Sequence, residues 1–110
     1  MASLEFYRDE QGNACARGTD QRLATFLQTD LQGSVEVTKD LMSKLAGDNK
    51  RAEFNGNGHS VSITPVMAVI ESNFDDEAPD RRMTRTHLLK HVGAWLEFIS
   101  DNNSNLGAGN

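Results

Sequence analysis

The chain has 110 residues, 25% charged and 37% hydrophobic, with a formal net charge of −5; this bounds it to one folded domain with a single core and loose ends. A negative field disfavours phosphate backbones and anionic lipid, so neither direct nucleic-acid binding nor a membrane partner is expected. One cysteine, Cys15, makes neither an internal disulfide nor a Cys-cluster zinc site, which points to a reducing, cytoplasmic home.

Met1 to Glu10 lacks a basic start followed by an apolar block, so no secretion signal is expected, and no apolar run approaches bilayer length. Leu4 to Tyr7 suits a strand. Asp9-Glu10-Gln11-Gly12 predicts a turn with Gly12 in the left-handed position, and Ala14 to Arg17 the return strand of a hairpin. Thr19 or Asp20 is placed to cap a helix whose Leu23, Phe26, Leu27 and Leu31 share a face. Gly33-Ser34 breaks it and opens a second helix from Val35 to Ala46, with Val37, Leu41, Met42 and Leu45 inward and a left-handed Gly47 at its end.

From Ala52 to Phe74 two turn signals cut out three short runs. Asn55-Gly56-Asn57-Gly58 predicts a type I′ hairpin turn, because both central positions need φ > 0. His59, Val61 and Ile63 alternate with Ser60, Ser62 and Thr64, the period of a half-buried strand. Thr64-Pro65 interrupts, and Val66 to Ile70 resumes. Asp75 to Arg82 predicts a polar loop. Thr84 caps the clearest helix, Arg85 to Ser100, whose Leu88, Leu89, Val92, Trp95, Leu96 and Ile99 fall within roughly 120° of arc. Trp95 should sit at the centre of the core. Asp101 to Asn110 predicts a disordered tail. The expected fold is α+β: an antiparallel sheet of four to five strands, N-terminal hairpin plus meander, with two to three helices on one face. Residues 1–100 make one domain.

Few residues carry chemistry. His87 and His91 are four apart on a helix, a metal-binding spacing, but lie roughly 140° and 100° from the apolar stripe, so solvated histidines are the preferred reading. Asp75, Asp76, Glu77 and Asp80 lack the spacing and central Gly of a calcium loop, and Arg81, Arg82 and Arg85 neutralise them. Asp9 should bond its own turn backbone, with Arg8 beside it. Cys15, between Ala14 and Ala16, has no base beside it and is read as a packed residue. No phosphate cradle, nucleophile elbow or zinc-protease motif is present. Phe98 lies about 120° off its helix's stripe; joined with Tyr7 or Phe74 it would mark a partner or homodimer face. No cofactor, metal site or catalytic residue is expected.

Glu5-Phe6-Tyr7-Arg8-Asp9 with Gly12, Gly58-His59-Ser60-Val61-Ser62-Ile63, and the aromatic helix around Trp95 to Ile99 together resemble the YacL-like family of small, acidic, uncharacterised bacterial proteins. The order of parts matches over nearly the whole chain: hairpin, helical middle, strands, acidic segment, closing helix. The resemblance implies no activity and no catalytic residues.

The favoured function is a non-enzymatic interaction or regulatory module that binds another protein through Phe74, Asp75, Asp76, Glu77, Asp80, Arg81, Arg82, Arg85 and Phe98. One alternative is an inhibitor or immunity-type protein, or a nucleic-acid mimic, which needs carboxylates gathered on one face. The other is a small enzyme or metal-binding protein, which needs two of His59, His87 and His91 to meet a carboxylate in one pocket. The remaining polar groups are expected to meet water.

Overall fold

Side chains that alternate between core and solvent organise the main sheet. The computed structural model describes residues 4–47, 51–73 and 79–108, with side chains as far as position 100. In it β3 (Ala52–Asn55), β4 (His59–Ile63), β5 (Met67–Ser72) and β6 (Arg81–Thr84) form an antiparallel sheet in sequence order. Val61 stands opposite Phe54 on one side and Ile70 on the other. These three, with Ile63, Ala68 and Met83, are buried. The intervening positions are polar: Ser62 Oγ donates to Glu71 at 3.2 Å and Ser60 Oγ to Asn73 at 2.7 Å. Thr64 closes the β4–β5 turn by accepting from Met67 N–H through Oγ1 and donating its own N–H to the Met67 carbonyl.

The α+β class, the hairpin and the meander are as expected, but the strands divide between two sheets. β1 (Leu4–Arg8) and β2 (Ala14–Gly18) pair only with each other, Phe6 opposite Ala16. The hairpin is held through its rings: Phe6 meets Trp95 edge-on at 5.1 Å and Phe98 at 5.7 Å. Gly12 has φ +83, and Asp9 Oδ1 accepts from Gln11 and Asn13 N–H, both at 2.9 Å, so the turn is built on its own aspartate. The second difference is β6. The loop expected through Arg82 ends sooner, because Arg81 to Thr84 pairs with β5 and buries Met83 opposite Ala68.

α1 (Gln21–Phe26) begins on Asp20, whose Oδ1 accepts from Leu23 N–H at 3.3 Å. It runs into a wider π-helical turn, Leu27–Leu31, closed by Gln32 N–H on the Leu27 carbonyl at 2.9 Å. α2 (Val35–Ala46) is capped by Ser34 Oγ on Val37 N–H at 3.2 Å. Gly47 does not take the expected left-handed conformation; its φ is −61. The orphan carbonyls are met from outside. Arg85, first residue of α3 (Arg85–Ala108), donates Nε to Leu45 O at 2.6 Å, and NH2 to Lys44 O at 2.9 Å and Gly47 O at 3.0 Å.

α3 therefore starts where α2 ends, and the two lie antiparallel. Thr84 caps α3 as expected, its Oγ1 accepting from His87 N–H at 3.1 Å. The helix backbone continues to Ala108, past Asp101 where the sequence predicts a tail; side chains beyond position 100 lie outside the described residues. At the far end of the α2–α3 pair Trp95 is fully buried, and its Nε1 donates to the Gln32 carbonyl at 2.8 Å. Gln32 has φ +53, a conformation that points this carbonyl inward at the break between helices. Among the described residues no helix is long and apolar enough to cross a membrane.

Truncating Trp95 to Ala should destabilise the fold by about 3–5 kcal/mol, because the ring leaves a cavity that its neighbours cannot close. Urea denaturation followed by circular dichroism measures this; a loss below 1 kcal/mol would place the ring outside the core.

Candidate functional site

The strongest polar constellation centres on Asp30, in the π-helical turn. Its side chain has no exposed surface. Oδ2 accepts from the N–H of Gly58 at 3.0 Å and of His59 at 2.9 Å; Oδ1 accepts from Thr29 Oγ1 at 2.7 Å and lies 2.9 Å from His59 Nδ1. The carboxylate thus grips the β3–β4 turn from below. This explains Gly56. A Cβ built there would lie 2.9 Å from Asp30 Cβ and Cγ, and closer still to Oδ2. The glycine is needed for close approach, not for conformation: residues 55–58 contain no positive φ, so the type I′ turn expected here does not form. Instead Gly56 N–H closes the turn on His59 O at 2.8 Å.

His59, buried as its strand alternation predicts, lies between Asp30 and Arg22, whose NH1 is 3.4 Å from Nε2. An imidazole oriented by a buried carboxylate is how a general base is built. Here, however, the free nitrogen faces a guanidinium, which has no proton to give up at neutral pH. The arrangement orients and ties; it does not activate a nucleophile.

A second constellation joins α1, β6 and α3. Asp20 is buried and receives Arg81 through both Nε and NH2, at 3.0 and 2.8 Å to Oδ2. Burial by itself would raise its pKa; the Arg81 hydrogen bonds, the Leu23 N–H and the charges of Arg81 and His87 together outweigh that and hold the carboxyl below its ordinary range. His87 and His91 are not solvated as expected. Their rings stack 4.5 Å apart at 68°, both half-buried, and His87 Nε2 is covered without a hydrogen-bond partner. Each ring shields the other, which a wheel measuring only distance from the apolar stripe does not register. Desolvation, then the neighbouring His87, lowers the pKa of His91. Two histidines therefore come within electrostatic reach of a carboxylate, but Arg81 occupies that carboxylate. Among the described residues no three His, Cys, Asp or Glu side chains are placed to share a metal.

Where it is described, the surface expected around residues 74–85 divides between solvent and interior. Arg85 is buried against α2 and also donates NH1 to Thr64 O at 2.9 Å. Arg81 is committed to Asp20 and to the Arg82 carbonyl. Phe98 is half-buried in the ring cluster with Trp95 and Phe6, with Arg8 5.3 Å above it. Asp80 and Arg82 face solvent. Phe74, Asp75, Asp76 and Glu77 lie outside the described residues. Cys15 is buried with Sγ 3.4 Å from Asn13 O, as a packed residue should be.

Carboxylates do meet uncovered apolar surface elsewhere. A groove of about 410 Å³ between α2 and the β3–β4 turn is lined by Glu36, Val37, Asp40, Phe54, Asn55, Gly56 and Asn57, with Asp30 beneath. Val37 is one of two large hydrophobic residues left exposed among the described residues, at 36%. Lys44 sits at the same place, its Nζ 3.2 Å from Asp40 and 5.7 Å above the Phe54 ring. No protein family, no characterised protein and no solved structure matches the chain.

Replacing Asp30 by Ala leaves the Gly58 and His59 N–H groups and the buried His59 ring without their acceptor and should cost about 3 kcal/mol; Gly56→Ala should lower the melting temperature by the same route, a steric push on Asp30. Equal stability to wild type in both variants would remove the lock. Stability should also depend on pH in two windows. The folded-state pKa of His91 is depressed, so its contribution is full above the ordinary value of 6.5 and declines as pH falls below it, where the unfolded chain takes the proton first. Asp20, also depressed, contributes above its ordinary value of 3.8 and loses that contribution at still lower pH. A melting temperature measured from pH 8 to 3 should fall in both ranges, and His91→Gln should flatten the upper one.

Proposed function

We propose that this chain is a non-enzymatic recognition module for another protein, and that it engages a basic segment of its partner in the groove between α2 and the β3–β4 turn. One observation carries the reading: Glu36 and Asp40 stand beside Val37 and Phe54 in a single groove whose wall is fixed from beneath by Asp30. His59, the one described histidine oriented by a buried carboxylate, is engaged inside the fold between Asp30 and Arg22.

The occupant follows from the lining. A Lys or Arg side chain lays its hydrocarbon stem along Val37 and Phe54 and brings its head to the carboxylates. Lys44 already displays this mode from within the chain, with its ammonium over an aromatic ring and beside Asp40. A net charge of −5 steers a basic partner and repels an acidic one. The same groove supports a second reading, an inhibitor that covers a basic site on its target, since carboxylates on one face are what that function needs. Kinship with the YacL-like proteins is part of the proposal and rests on the hairpin, meander and aromatic-helix residues that suggested it.

Reversing both charges, Glu36→Lys with Asp40→Lys, should weaken binding of a fluorescent Lys- and Leu-rich peptide by about tenfold or more at low salt. In urea titration the double variant should lose only about 1 kcal/mol, from the reversed charge in the first turn of α2 and the lost exposed Asp40–Lys44 pair, and stay folded. Unchanged affinity in the double variant, or binding insensitive to salt, would overturn the assignment of the groove.

A further inference from the structure

A separate cavity beside α1 carries chemistry that the groove does not use. It holds about 370 Å³ and is lined by Gln21, Arg22, Thr25, Pro79, Asp80 and Arg81. The two arginines are not equivalent. Arg81 is engaged through all three of its nitrogens by the Asp20 carboxylate and the Arg82 carbonyl. Among the described residues Arg22 is held at one point, NH1 on His59 Nε2.

That single contact is well anchored. His59 is buried and its Nδ1 is fixed 2.9 Å from Asp30. For Nε2 to accept from Arg22, the ring proton must be on Nδ1, and the carboxylate there selects that tautomer. A guanidinium presents its donors in a planar fork. With NH1 pinned, Nε and NH2 meet no protein acceptor among the described residues. The Gln21 amide and the Thr25 hydroxyl, one helical turn apart on the same cavity wall, also bond no other side chain among the described residues. Three donor side chains therefore converge on one space, and the most rigid is cationic.

We propose that this cavity binds a carboxylate group, held by the Arg22 fork with Gln21 and Thr25 as further donors. A monoanion is favoured over a phosphate dianion by charge. Asp20 neutralises Arg81, so among the described lining residues Arg22 is the cation without a carboxylate partner, and exposed Asp80 on the wall repels a second negative charge. A planar carboxylate also matches the fork geometrically. The carboxylate comes either from a free small acid or from a polypeptide, by a side chain or a C-terminus.

The test is an NMR titration of the full chain, following the Arg22 Nε–H resonance. Sodium acetate, an N-acetylated triglycine with a free C-terminus, and sodium phosphate are compared with sodium chloride at equal ionic strength. Acetate and peptide should each give a saturable shift, with phosphate weaker than either. A peptide affinity about tenfold above that of acetate assigns the ligand to a polypeptide, whereas equal affinities assign it to a free acid. Arg22→Lys, followed at the Gln21 side-chain amide resonances, should weaken acetate binding by about tenfold, since an ammonium lacks the planar fork. Asp80→Asn changes an exposed residue and should tighten acetate and bring phosphate level with it. A shift no larger than chloride produces, or an Asp80→Asn protein that treats the two anions as wild type does, would overturn the proposal. Neither result bears on the groove, whose residues are untouched.

Discussion

A carboxylate with no exposed surface, Asp30, is the point from which the positions of the other parts follow. An isolated charge in such a place is costly, and it persists because two backbone N–H groups and the His59 ring surround it, with the Thr29 hydroxyl shared between it and the Thr25 carbonyl. Two of those donors are backbone N–H groups of the β3–β4 turn, so the bond is also a coordinate. It fixes how far the turn stands from the helical layer, and it forbids a side chain at position 56. The π-helical turn, a distortion that costs hydrogen-bond geometry, is the segment that carries this aspartate. Through His59 the same charge reaches Arg22 and so orients a residue on α1.

A second clamp works at the other side of the helical layer. Arg85 gathers carbonyls from the end of α2 and from the β4–β5 connection, and Trp95, ten residues on, bonds the carbonyl of Gln32 just before α2 begins. α2 is thus held at both ends by α3. Hydrophobic contact between the two helices supplies the non-directional part of the attraction; these hydrogen bonds supply register, since an unmet buried carbonyl penalises any slide of one helix along the other.

Taken together, the clamps separate the polar groups of the molecule into two populations. His59, Asp30, Asp20, Arg81 and Arg85 serve the fold and are closed to one another's partners. Glu36 and Asp40 remain at the surface beside uncovered apolar atoms, and Arg22 remains with part of its fork open toward a cavity. The binding functions proposed above rest on these open groups.

Periodicity carried much of this fold. Alternation marked β4 and β5, the spacing of Leu88 through Ile99 marked α3 and placed Trp95 inside, and Asp9, Ser34 and Thr84 announced the turn and two caps by residue type alone. The charged residues of the interior were legible in principle. Asp30 lies within about 40° of the centre of the stripe formed by Leu23, Phe26, Leu27 and Leu31, and Arg85 within about 30° of the centre of α3's stripe. A charge in the middle of an apolar arc signals a buried, compensated ion, but not its partner. Local order is written in neighbours three, four or two residues away, and the sequence by itself determined that much: the elements other than β6 and the end of α3, their inward faces apart from Val37, and the α+β class. Only the tertiary structure decided that the hairpin forms a sheet of its own, that Gly56 serves an aspartate 26 residues earlier, that His87 shields His91, and that Arg85 closes α2. Each of these depends on groups brought together across long loops, where the energy of burying a charge or an N–H is set by a partner that chain spacing does not name.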